Sequence, residues 1–349
     1  MGDTSARAHR APVHRPDGAG RDLTSLPKAH LHLHLAGAMR PATLRELAAR
    51  YGVPAPAHDG RGVKDWAEFQ QLYDAARAVI RTPDDIGRVV AEAAADDAAD
   101  GCGWLELQVD PTSYAETMGG VRAALEAVLT AAASAPIPVG VMVASSWARS
   151  PDHAERLARL AAAYADAGVV AFGLSNDERH GEVAAFVPAF RLVADAGLLA
   201  SPHSGFYTAA PHVRDCVHLL DAARIGHGTS AVGDPETLAL LAERRVTLEV
   251  CPTSYPPFGV HALDEVPVQR LLAADVPVAL GSDDPLLFGV GLAGQYAICR
   301  DLLGLSDDQL ATLAGHSIEG SAAPPEVKRD LRTRLDDWRR PERFQGPAR

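Results

Sequence analysis

The 349-residue sequence has only four cysteines, Cys102, Cys216, Cys251 and Cys299, and no two of them form a Cys-x-x-Cys pair. So sparse a set excludes a secreted disulfide scaffold, which is short and dense in cysteine, and predicts reduced thiols. No apolar run reaches the roughly 18 residues that a membrane helix needs. The first residues lack the apolar stretch of a signal peptide. Positive charge is in deficit too: 33 Lys and Arg against 45 Asp and Glu leave −12 at pH 7. That sign disfavours a nucleic-acid backbone as partner. Together these absences predict a soluble, cytoplasmic protein that works on a small molecule, with no nucleic acid and no membrane. They leave the oligomeric state open.

What is present alternates. Short apolar runs recur at 29–35 (AHLHLHL), 103–109 (GWLELQV), 137–144 (IPVGVMVA), 169–175 (VVAFGLS), 197–203 (GLLASPH), 223–228 (ARIGHG), 246–251 (VTLEVC) and 276–282 (VPVALGS). Between them lie Ala/Leu/Glu/Arg stretches of helical period, several opening on Thr-Pro, Ser-Pro or Asp-Pro. That is the signature of an N-cap followed by proline in the first turn. Strands alternating with helices predict an α/β fold with a parallel sheet. Eight strands is the closing number of a (β/α)8 TIM-like barrel. The doubly wound sheet is the competing architecture, but no G-x-G-x-x-G follows the first strand. The segment 52–82 predicts extra helices over the mouth after strand one. Residues 1–22 read as a disordered leader by composition, with His9 and His14 inside it. Residues 23–325 read as the barrel, and 326–349 as a C-terminal helix and tail.

In a barrel of this kind the chemistry sits at the C-terminal ends of the strands. Strand one ends on His32 and His34, strand five on His203, strand six on His227 and strand eight on Asp283 and Asp284. One histidine at a strand end is usually structural. Four ends that each offer a ligand type point instead to a divalent cation with an open position. His32 and His34 are two apart, so they share one strand face, the lumen. His30 is expected to point elsewhere.

These motifs, taken in order, resemble one family. "LPKAHLHLHLAG", "FGLSNDE", "RIGHG", "EVCPTS" and "GSDDPLLFG" resemble the successive blocks of the adenosine deaminase family, over about residues 24–322. "DPTSYA", "GLSNDER" and "DDPLLFG" look closest to its actinobacterial aminodeoxyfutalosine deaminase branch. The resemblance implies a zinc-dependent aminohydrolase acting on a purine nucleoside-like or related heterocyclic amine. By position, His32, His34, His203 and Asp283 match the Zn2+ ligands. His227 and Asp283 match the groups that hold the attacking water. Asp284 and Gly173 fall on the substrate side.

The match breaks at the base-reading positions. Where the family carries a glutamate that protonates the ring, this sequence reads "HSGF", with Phe206. Tyr255 stands in place of an asparagine, and Ala36 in place of an aspartate. Phe206, Tyr207 and Tyr255 are expected to line a more apolar pocket. Asp177, Glu178 and Glu182 are the nearby acids that could substitute. Two readings follow: a deaminase of altered substrate or low classical activity, or a catalytically inactive relative that binds a nucleoside-like ligand or a partner. A phosphoesterase with two metals is disfavoured, because strand four carries no lysine to bridge them.

Overall fold

A computed structural model of the protein describes residues 20–54 and 62–340. The strands fall where the apolar runs are: β1 (Lys28–His34), β2 (Cys102–Val109), β3 (Val139–Ser146), β4 (Val169–Ser175), β5 (Leu199–Ala200), β6 (His203–Ser204), β7 (Arg224–His227), β8 (Thr247–Val250) and β9 (Val278–Leu280). All pair in parallel, in the order β1-β2-β3-β4-β5 and β6-β7-β8-β9. The segments β5 and β6 are two halves of one barrel strand. Pro202 separates them and has no N–H to give to the ladder.

The ring is continuous across both joins. The amide of Ala223 donates to Ala200 O at 3.1 Å, and that of Gly226 donates to Pro202 O at 3.0 Å. At the other join the amide of His34 donates to Asp283 O at 3.0 Å, and that of Asp283 to His32 O at 3.0 Å. Leu33 and Asp283 form the parallel bridge between them. The fold is therefore the expected (β/α)8 TIM-like barrel. Its strands read as near-continuous apolar runs because helices cover them on the outside.

The helix starts follow the cap chemistry. Thr82 and Asp85 form a reciprocal capping box ahead of Pro83. Ser150 accepts from the amide of His153, and Asp234 from that of Thr237, each just before a proline. After β1 come α1 (Pro41–Tyr51), α2 (Trp66–Ala78) and α3 (Pro83–Ala99). The helix α2 places Trp66, Phe69, Tyr73 and Arg77 along the wall of the barrel mouth. This is the cover read from segment 52–82, of which residues 55–61 lie outside the described residues.

Two further features refine the reading of the ends. Residues 1–19, with His9 and His14, and the last nine residues lie outside the described residues. Arg21, inside the expected leader, is held in place. Its amide donates to Asp307 Oδ2 at 3.0 Å, its carbonyl accepts from Arg300, and its guanidinium lies 5.1 Å from the Trp338 ring centre. The helix Pro325–Arg339 buries Leu331 and Leu335 in the same apolar core as the barrel. Leu331 sits on Gly103, where any Cβ would come within 2.5 Å of it.

Candidate functional site

The barrel delivers its histidines to one rim. His34 ends β1, His203 opens β6 after Pro202, and His227 ends β7. Asp283 follows β9. His227 and Asp283 both have positive φ, 68° and 59°, a conformation non-glycine residues seldom take. The backbone turns at both places so that the side chain faces the mouth rather than continuing the strand. Strained backbone of this kind collects at functional sites.

His32 ring centre lies 5.2 Å from that of His34, 4.6 Å from His203 and 5.0 Å from His227. Asp283 reaches all but one of them directly. Its Oδ1 is 3.4 Å from His32 Nε2 and 3.2 Å from His34 Nε2, and its Oδ2 is 4.0 Å from His227 Nε2. The ligand atoms of His32, His203 and His227 lie within 4.8 Å of one another, as do those of His34, Asp283 and Asp284. The buried nitrogens His32 Nε2, His203 Nδ1 and His227 Nδ1 have no hydrogen-bond partner among the described residues. Bare buried nitrogens are costly, and a cation bound among them removes that cost. Cys251 also comes within reach of His32 and Asp283, but burial pushes its thiol well above its usual range.

The electrostatics fit a cation. Burial pushes His34 down, His203 well down and His227 down to about 3, so these rings are neutral with lone pairs free. His32 is the exception. Burial lowers it, but Asp283 and Glu249 flank it and carry it up to about 10. Burial alone would raise Asp283, yet the His32 and His34 rings beside it hold it well below the usual carboxylate range. Asp284 goes the other way: burial and the neighbouring Asp283 charge raise it strongly.

A layer beneath the rim fixes these side chains. Glu249 Oε2 accepts from His32 Nδ1 at 2.8 Å, while its Oε1 accepts from Ser201 Oγ at 2.8 Å and Arg224 Nε at 2.7 Å. Arg224 is fully buried and also pairs with Glu106. A carboxylate behind a ligand histidine sets its tautomer and ring angle. Sequence reading missed Glu249 and Arg224. The signal was an acid in the middle of V-T-L-E-V-C and a base at the start of R-I-G-H, each unexplained by core packing.

His30 leaves the group, as expected, although simple alternation would place it on the same face as His32. The β1–β2 register shifts between His30 and Leu33. His30 Nδ1 is 2.8 Å from Asp97 on α3, and its Nε2 accepts from the Ser282 amide at 3.1 Å.

The cavity above the histidines is lined by Phe206, Tyr207, Asp283 and Asp284, and by Trp66, Phe69, Tyr73, Phe258 and Phe288. Phe206 ring centre lies 4.7 Å from that of His227, edge to face. Two expected substrate residues sit elsewhere. Tyr255 is wholly buried behind Phe206 and His227, its hydroxyl accepting from the Cys251 amide at 3.2 Å. Gly173 lies deeper in β4, where a Cβ would come within 2.6 Å of Ser201 O. Its role is close strand packing, and Ser175 and Asn176 take its place on the wall.

The nearby acids are committed. Glu178 Oε1 accepts the amides of Phe206, Tyr207 and Thr208 at 2.8, 2.6 and 3.1 Å. It shapes the loop that presents Phe206. Asp177 is clamped by Arg179 at 2.9 and 2.6 Å, which holds it below the usual range. Glu182 is exposed and off the wall.

Asp284 depends on Gly37. A Cβ at Gly37 would lie 1.8 Å from Asp284 Oδ1. Gly37→Ala is therefore expected to displace Asp284 and raise KM for a ring substrate by at least about tenfold, while metal content stays at the wild-type value. Kinetics alongside metal analysis would check this; equal loss of metal would show that the turn supports the whole rim instead. Tenfold corresponds to one hydrogen bond to a charged or strongly polar group, about 1.5 kcal/mol.

Comparison with known proteins gives a consistent answer. The adenosine deaminase family model matches residues 27–338. A Streptomyces coelicolor protein named as an adenosine/adenine deaminase is 51% identical, covering 91% of this chain and 98% of its own. The aminodeoxyfutalosine deaminase of Streptomyces avermitilis is 36% identical over 91% of this chain and 94% of its own. Among solved structures, an amidohydrolase from Burkholderia ambifaria with bound Zn superposes with a TM-score of 0.80 at 25% identity, covering 90% of this chain and 91% of that one.

Proposed function

The chain belongs to the adenosine deaminase family, and from that premise we propose that it is a zinc-dependent aminohydrolase replacing the exocyclic amine of a heterocycle by oxygen. The carrying observation is the convergence of His32, His34, His203, His227 and Asp283 on one rim, with ligand atoms of His32, His203 and His227 within 4.8 Å of one another and Asp283 reaching His32 and His34. His32, His34, His203 and Asp283 would hold the ion. When bound, zinc lowers the pKa of a coordinated water from 15.7 to about 7 and so supplies a nucleophile at neutral pH.

The chain's own residues do the rest. Asp283 stays ionised and can accept a proton from the attacking water. Neutral His227 orients that water against the ring carbon. Asp284, neutral by burial and by its charged neighbour, can donate to a ring nitrogen at the far edge of the substrate. Phe206 closes the opposite side and keeps water off it. Free buried cysteines, and the lack among described residues of any helix long and apolar enough to cross a membrane, support a cytoplasmic site of action.

A second reading, a ligand-binding protein without turnover, is favoured by one observation: Phe206 has no proton to give. The deciding experiment is ammonia release by the zinc-loaded protein over a panel of amino-purines and related amines, with His34→Ala as control. Release that falls at least about 10³-fold in the control supports catalysis. Stoichiometric zinc with no release across the panel favours the second reading.

A further inference from the structure

The cavity wall beside His227 has a shape and chemistry that select the substrate further. Water adding to a neutral amino-heterocycle pushes an electron pair onto the adjacent ring nitrogen, which then has to gain a proton. Phe206, the group next to His227 on that side, cannot give one. Glu178 spends Oε1 on three backbone amides, and Asp177 is paired with Arg179. Asp284 sits three barrel positions away, against Gly37. In place of an acid the wall offers ring faces. Phe206 lies 4.7 Å from Tyr207 and 5.8 Å from Phe258, and Phe258 lies 5.6 Å from Trp66. Asp177, Glu178, Asp283 and Asp284 line the same cavity. Its guanidinium, Arg77, is stacked on Tyr73 at 4.2 Å. Aromatic faces recognise cations.

Resting on the deaminase reading above, we propose that the cavity takes cationic, ring-N-alkylated amino-heterocycles, of the type of N1-alkylated adenine, and removes their exocyclic amine. The alkyl group meets Phe206, where a proton donor would clash with it. The ring nitrogen already carries positive charge, so the adjacent carbon is electrophilic without protonation. Water oxygen bonds to that carbon as the C=N+ pair moves onto the ring nitrogen and neutralises it. The C–NH2 bond then breaks. Both water protons end on the departing nitrogen: cation plus water gives a neutral lactam plus ammonium. No oxidant or external acid enters. The chain's −12 net charge favours approach of a cation.

The test measures ammonia release by the zinc-loaded full chain at pH 7, with N1-methyladenosine and N1-methyladenine against adenosine and adenine. The expected result is kcat/KM at least about 10²-fold higher for a methylated cation, the low end of what a positioned acid contributes. In Phe206→Leu, KM for the cation is expected to rise about 2–30-fold with kcat little changed, the range of a cation–π contact. Equal or better turnover of the neutral amines overturns the inference and leaves the deaminase reading standing. Turnover of neither class, with zinc bound, overturns the inference, and the deaminase reading is then decided by the wider panel of amines. An unchanged KM in a folded Phe206→Leu protein removes the aromatic contact and with it the proposed mode of recognition.

Discussion

Glu249→Ala is expected to lower stability by about 3–5 kcal/mol and zinc affinity by about 10–100-fold. Two separate physical effects produce these numbers. Glu249 is buried and compensates Arg224, which is itself buried with its other partner Glu106. Removing one carboxylate leaves a guanidinium half-paired where water cannot reach it, and breaking a buried pair on one side costs this much. The affinity loss comes from His32. Without Glu249 Oε2 at 2.8 Å, its Nδ1 proton has no acceptor and its ring no fixed orientation. Chemical denaturation reads the first effect, and competition with a fluorescent zinc chelator reads the second. Glu249→Gln separates them. It keeps an acceptor for His32 but loses the charge facing Arg224, so it is expected to lose more stability than affinity. Unchanged affinity in both variants would show that His32 is not a ligand.

The second large effect concerns the missing acid. Phe206→Glu is expected to raise deamination of neutral adenine-type amines by about 10²–10⁴-fold, the contribution of a positioned general acid. The loop is built to accept the change. Glu178 holds the backbone amides of residues 206–208 and not the ring, so the new side chain inherits a fixed backbone. Phe206 is only partly buried, and its ring contacts His227 directly. The substitution therefore places a carboxyl beside the reacting edge. Steady-state ammonia release on adenine and adenosine measures it. No gain, in a variant that keeps its zinc and its fold, would mean that proton supply is not what limits these substrates.

The sequence made some layers of this protein readable and hid others for physical reasons. The strands were readable because parallel barrel strands are covered outside by helices and so form unbroken apolar runs. The helix starts were readable because caps are local: Thr82, Ser150 and Asp234 act within three residues of themselves. The rim histidines were readable because a strand end is a position in the chain. What stayed hidden depends on long-range contact. Glu249 meets Arg224 25 residues back, and Arg224 meets Glu106 another 118 residues back, so nothing local marks the three as a unit. Trp66, Phe69 and Tyr73 recur at helical spacing on α2 and look like ordinary packing, but the mouth of the barrel turns that face into the cavity wall. Tyr255 and Gly173 show the reverse error. Both lie next to site residues in sequence, but they serve packing in space.

The account rests on a single ion held by three imidazoles and one carboxylate. Elemental analysis combined with X-ray absorption on the purified full chain tests this directly. The expected result is one zinc per chain, with nitrogen and oxygen neighbours at about 2.0–2.2 Å and no sulfur. A chain that takes up no zinc, or a sulfur neighbour at about 2.3 Å from Cys251, would contradict it.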